Sequence, residues 1–136
     1  MADGHRVFEL TAPPDDVDTV HRMLGLAWPD GVEVGALDRM AFETALVELA
    51  ANIIHHGDTG SGVRCTLEFA ITSTALRATL RDSGPEVHVD WDAVTMPGEE
   101  AESGRGLALI RALVGQAEYE RVGGTNVWTI IRPVSS

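Results

Sequence analysis

The chain has 136 residues, a formal net charge of −11 and an apolar fraction of 44%. That length predicts a single domain spanning residues 1–136, large enough for a core of its own and too small for two. The acidic balance excludes nucleic acid as a direct partner, because phosphate backbones are bound by clustered cations.

No apolar run reaches the roughly eighteen residues that a membrane span needs, and the N-terminus has no signal-peptide pattern, so a cytoplasmic address with no membrane contact is expected. All ten non-histidine cationic residues are arginine. A phosphate group would therefore have to be held without a lysine, by backbone amides, a metal ion and arginine. The single Cys65 lies inside an apolar run and reads as a small buried hydrophobe.

In chain order, Arg6 to Ala12 alternates as a strand does. Pro13-Pro14-Asp15-Asp16 is a helix-start signal, followed by helical spacing of Val17, Val20, Met23 and Leu24. Trp28-Pro29-Asp30-Gly31 breaks that helix. A second helix is expected from about Val34 to His55 or His56, with an apolar stripe of Phe42, Leu46, Leu49, Ala50 and Ile53, and a turn-rich stop from Gly57 to Gly62. Two strands, Arg64 to Ile71 and Ala75 to Arg81, form a hairpin across Thr72-Ser73-Thr74.

From Asp82 to Ser103 the pattern fails, and the acidic Met96–Glu102 stretch reads as a lid or a solvated loop. A third helix is expected over Gly106 to Val114. Two last strands, Ala117 to Val122 and Asn126 to Ile131, meet across Gly123-Gly124-Thr125. The sum is an α/β (α+β) two-layer sandwich, a mixed, mostly antiparallel sheet of about five strands with helices on one face.

Four stretches carry candidate chemistry. In the second helix Glu48, Asn52 and His56 recur every four residues and so share one face. A carboxylate beside a carboxamide suits a general base and a metal ligand, and equally suits a solvated helix edge. Asp82-Ser83-Gly84 closes a strand, as an acceptor or as a simple turn. Gly104-Arg105-Gly106-Leu107 opens the third helix, where missing β-carbons and free amides favour an anion. Gly124-Thr125 is either a binding element or a β-turn.

In this order, and from about Phe8 to Arg132, the four stretches resemble the GHKL superfamily of gyrase-, chaperone-, histidine-kinase- and mismatch-repair-type ATPases, which share the Bergerat ATP-binding fold. Within it the chain looks most like the stand-alone anti-sigma factor serine kinases. The resemblance implies ATP and Mg²⁺ as ligands, with Glu48 as catalytic base, Asn52 as the metal ligand and His56 at the phosphate end. It makes Asp82 the adenine reader beside Gly84, with Gly104, Arg105, Gly106 and Leu107 around the phosphates and Thr125 near the base.

One departure stands out: the fuller pattern Asp-x-Gly-x-Gly is replaced here by Asp82-Ser83-Gly84-Pro85-Glu86. The implied activity is an anti-sigma factor that phosphorylates a serine of a small anti-anti-sigma partner (a STAS-type domain) and sequesters a sigma factor. It would act as a homodimer, with Arg22 on the first helix engaging partners. The alternative is a nucleotide-gated binding module without kinase turnover.

Overall fold

The structure, a computed structural model, describes residues 4–57, 60–87, 89 and 102–135, with the backbone alone at residue 4 and over 102–106. The elements run β1 (Gly4–Ala12), α1 (Val17–Ala27), α2 (Ala36–Gly57), β2 (Val63–Ile71), β3 (Ala75–Asp82), α3 (Glu102–Leu113), β4 (Gln116–Val122) and β5 (Thr125–Pro133). The five strands form one sheet in the order β1-β2-β3-β5-β4.

Every ladder in that sheet is antiparallel, which corrects the expected mixed sheet. The reason is topological. The β4–β5 hairpin returns beside β3 with its second strand inward, so β4, which runs parallel to β3, never touches it.

Strand alternation divides the sheet cleanly. Leu10, Leu67, Phe69, Leu80, Trp128 and Ile130 are buried beneath the helices. Their neighbours Glu9, Thr66, Arg81 and Glu118, one residue out of phase, turn to the opposite face. Helix α2 crosses the buried face and brings Phe42, Leu46, Leu49, Ala50 and Ile53 to the core, the stripe its spacing had indicated. At α1, Asp16 accepts from the backbone amides of Asp18 and Thr19, and the Thr19 hydroxyl accepts from the Asp16 amide, a complete capping box.

Helix α3 begins at Glu102, a turn before the expected Gly106. Glycines cost helix stability, about 1 kcal/mol each relative to alanine, so Gly104 and Gly106 masked the true start. No helix among the described residues is long and apolar enough to cross a membrane.

One ion pair fastens the far end of the domain. Arg132 on β5 donates from Nε to Oδ1 of Asp38, in the first turn of α2, at 2.9 Å, and from Nη1 to the carbonyl of Leu113, the last residue of α3, at 2.6 Å. The amide of Ser135 donates to Asp38 Oδ2 at 2.9 Å. The Ser135 amide first, and the Arg132 guanidinium against the opposing cost of desolvation, hold the Asp38 carboxyl below its ordinary value of 3.8.

A carboxyl with a lowered folded pKa stabilises the fold fully above its unfolded pKa, and that contribution is lost as the pH falls through the folded value. Asp38→Asn is therefore expected to be less stable than the parent in urea unfolding at pH 7. The gap should narrow as the pH drops below 3.8. An equal gap at pH 7 and pH 3 would show that the charge of Asp38 contributes nothing.

Candidate functional site

The site begins with two glycines. Gly57 ends α2 and Gly84 follows β3, and a β-carbon on Gly84 would stand 2.8 Å from the Gly57 Cα. A β-carbon on Gly57 would likewise meet the Val63 side chain at 2.8 Å. Only residues without side chains permit this approach. It sets the C-terminal turns of α2 directly over the end of β3, and between them opens a cavity of about 380 Å³. Asn52 and His56 line it from α2, Asp82 from β3, Leu107 from α3, and Asn126 and Trp128 from β5. The segment Pro85–Val87 forms another wall.

Asp82 is 3% exposed. Its Oδ1 accepts from the Gly84 amide at 2.8 Å and from Asn126 Nδ2 at 3.0 Å, while Oδ2 accepts from the Trp128 indole Nε1 at 2.9 Å. Asn126 is a hub in turn. Its Nδ2 also donates to the carbonyl of Pro85 at 2.8 Å, and its Oδ1 accepts from Arg121 Nη1 at 2.9 Å and from the Tyr119 hydroxyl. The Tyr119 oxygen accepts from the Val87 amide, and Arg121 donates to the carbonyl of Gly84. Cys65, paired with Asp82 across the ladder, is buried. Its thiol is pushed up to about 12 by burial and then by the neighbouring Asp82 charge, so it is no nucleophile.

Asn52 supplies the one buried side-chain polar atom left without a hydrogen-bond partner among the described residues, its Nδ2. Such an atom costs about 1–3 kcal/mol unless something outside the protein satisfies it. A carboxamide offers a donor on one side and a hard oxygen on the other, so its orientation can follow the ligand. No group of three His, Cys, Asp or Glu gathers among the described residues. The carboxamide oxygen of Asn52 is a hard donor of the kind that suits Mg²⁺, an ion that takes few protein ligands.

The other expected residues divide. His56 is exposed at the cavity mouth, whereas its neighbour His55 is exposed away from it. Glu48 lies half-buried one turn, about 6 Å, behind Asn52 along α2 and is not part of the cavity lining. Gly104 and Arg105 fall in the first turn of α3, where backbone amides lack intrahelical acceptors, with Gly106 just behind. The Arg105 side chain lies outside the described residues, as does the expected lid up to residue 101.

Thr125 is placed differently from the expectation. It is the first residue of β5 and one out of phase with Asn126, so it lines a separate cavity with Arg64 and Thr66 on the opposite sheet face. Asn126 and Trp128, and not Thr125, line the cavity with Asp82. Arg22 is exposed on α1 and donates to the Thr19 hydroxyl at 3.2 Å.

Residues 10–132 match the profile of the histidine kinase-like ATPase domain. The chain belongs to that family. No curated protein matches it in sequence. Among solved structures, it is similar to the RsbU and RsbW domains of Rv1364c from Mycobacterium tuberculosis, with a TM-score of 0.64 and 20% identity over 97% of this chain and 33% of that one. The chain thus spans about a third of that protein. It is also similar to the histidine kinase domain of a blue-light activated kinase from Erythrobacter litoralis EL346, with a TM-score of 0.60 and 19% identity over 87% of this chain and 61% of that one. The catalytic domain of histidine kinase ThkA matches with a TM-score of 0.58 and 16% identity, over 94% of this chain and 97% of that one. These likenesses establish the five-strand sandwich as the fold of histidine kinase-like ATPase domains.

Gly84→Ala tests the seam on which the cavity depends. The new methyl would meet Gly57 Cα at 2.8 Å and Asp82 Oδ1 at 3.0 Å, both of them held in place. A loss of about 1–3 kcal/mol is expected from urea titration, the usual cost of overpacking. Unchanged stability would mean that α2 and β3 can part freely.

Proposed function

We propose that this histidine kinase-like domain binds an adenine nucleotide with Mg²⁺ in the cavity between α2 and β3 and transfers the γ-phosphoryl group to a serine of a partner protein. The observation that carries the reading is the buried, unpartnered Asn52 amide in a cavity that also holds the fixed carboxylate of Asp82. Asp82 would accept from the exocyclic amine of adenine, a contact that guanine, with a carbonyl there, cannot make. The carboxamide oxygen of Asn52 would hold Mg²⁺, which when bound supplies charge neutralisation for the phosphates. The amides of Gly104 and Arg105, in the first turn of α3, would receive phosphate oxygens. Glu48 would accept the proton of the attacking serine hydroxyl.

The similarity to a chain containing an RsbW domain, together with the sequence resemblance to anti-sigma factor serine kinases, supports a small anti-anti-sigma protein as acceptor and a sigma factor as second partner. Arg22, exposed on α1 of a strongly acidic chain, would contribute charge complementarity to that surface, and the chain would act as a homodimer. A second reading, nucleotide-gated partner binding without turnover, is favoured by one observation. Glu48 stands outside the cavity lining, so binding does not require it.

Variants separate the two readings. Asn52→Ala is expected to weaken Mg²⁺-dependent ATP binding in calorimetry, and Asp82→Asn to weaken it by about 1–3 kcal/mol. Glu48→Gln should bind ATP as the parent does and transfer phosphate to the cognate partner about 10²–10⁴-fold more slowly. Equal affinity for ATP and GTP would remove the adenine assignment. Unslowed transfer by Glu48→Gln would remove the base.

A further inference from the structure

We infer that Trp128 and Asn126 are positioning residues that aim the Asp82 carboxylate and thereby set selectivity for a purine bearing a 6-amino group. The inference rests on the nucleotide reading above and assigns the selectivity of that site to side chains on a neighbouring strand. A carboxylate has about four acceptor positions on its two oxygens. Three are filled within the protein, two on Oδ1 by Gly84 and Asn126, and one on Oδ2 by Trp128. One position on Oδ2 is left. Rotation about the Cβ–Cγ bond would break all three bonds at once, so the free lone pair keeps a fixed direction at the cavity wall.

The two positioning side chains are themselves held. Trp128 is 5% exposed and packs on Tyr119 with ring centroids 4.5 Å apart. Asn126 is 1% exposed, and its amide is oriented by the Tyr119 hydroxyl and Arg121 on one side and the carbonyls of Gly84 and Pro85 on the other. The same network ties the Pro85–Val87 wall to β4 through Tyr119 and Val87. An acceptor and a wall that share one hydrogen-bond network keep a constant separation. Preorganised groups of this kind discriminate because a ligand lacking the matching donor leaves a buried acceptor unpaired.

The test compares ATP with purine riboside triphosphate, which lacks the 6-amino group, each titrated with Mg²⁺ into the full chain and into Trp128→Phe. Phenylalanine keeps the apolar ring and removes the N–H. A parallel variant carrying 3-benzothienylalanine at position 128 replaces the N–H by sulfur at the same outline, and covers the case in which Trp128→Phe fails to fold. The parent is expected to prefer ATP. In either variant ATP affinity should fall by about tenfold, the scale of one charge-assisted hydrogen bond, while affinity for purine riboside triphosphate stays within about twofold. An unchanged preference for ATP, whether through equal losses for both ligands or through no loss for either, would overturn the inference and leave Trp128 a structural role at most. A parent that binds both ligands equally would instead refute the base-reading role of Asp82, a failure visible before any variant is made.

Discussion

A carboxylate withdrawn from water must be surrounded by donors, and the histidine kinase-like domain is arranged around one such group. Leaving Asp82 ionised and unsatisfied at 3% exposure would cost several kcal/mol. The antiparallel register removes that cost. Asp82 faces Asn126, and Leu80 faces Trp128, so two donors on β5 arrive on the buried side of the sheet within reach of both oxygens. A slip of one residue would turn both away to the solvent face. The turn at Gly84 supplies the third donor from the backbone. Register, turn and polar network thus depend on one another, and the cavity inherits its fixed acceptor from all three.

The frame that keeps α2 above that acceptor has two fastenings, at opposite ends of the helix. At its C-terminal end Gly57 meets Gly84 backbone to backbone. At its N-terminal end Asp38 takes Arg132 and the Ser135 amide, and Arg132 reaches on to the last carbonyl of α3. Between them the row Glu48, Asn52 and His56 runs along the helix edge, with the core stripe alongside it. A helix fixed at both ends cannot roll, so the position of Asn52 relative to Asp82 is set by the fold and not by the ligand.

The sequence made much of this legible, because the dominant signals are local. The helix start after Pro13–Asp16, the stripe on α2 and the strands β2 and β3 each follow from short-range signals, and each is found close to where the pattern put it. The α2 spacing likewise put Asn52 and His56 on one edge, and both line the cavity. What stayed hidden depends on pairing between distant strands. Thr125 and Asn126 are adjacent in a turn-like stretch, and only the register with β3 decides which of them faces the helices. The contacts of Tyr119 with Val87, of Arg121 with Gly84 and of Trp128 with Asp82 span 32, 37 and 46 residues, separations that no local pattern encodes. One signal was available, the alternation from Asn126 through Trp128 to Ile130, which marks a polar residue on a buried strand face. The missing second glycine after Gly84 has a counterpart in the same network: the carbonyls of Gly84 and Pro85 are held by Asn126 and Arg121, where a glycine pair would leave the turn looser.

A lysine-free chain of net charge −11 is at first sight a poor host for a triphosphate. Distance resolves the conflict. Charges more than about 8–10 Å apart across water are largely screened at physiological ionic strength, so most of the acidic surface is weakly felt inside the cavity. What a phosphate would meet there is local. Helix α3, whose Leu107 lines the cavity, begins with amides that lack intrahelical acceptors and with the positive end of its dipole, and the unpartnered Asn52 amide belongs to the same lining. Backbone donors of this kind carry no counter-charge of their own and need no lysine. The acidic exterior then acts on a different scale, disfavouring polyanions too large to enter the cavity, whereas pairing with a divalent cation would halve the charge that a nucleoside triphosphate presents to that surface.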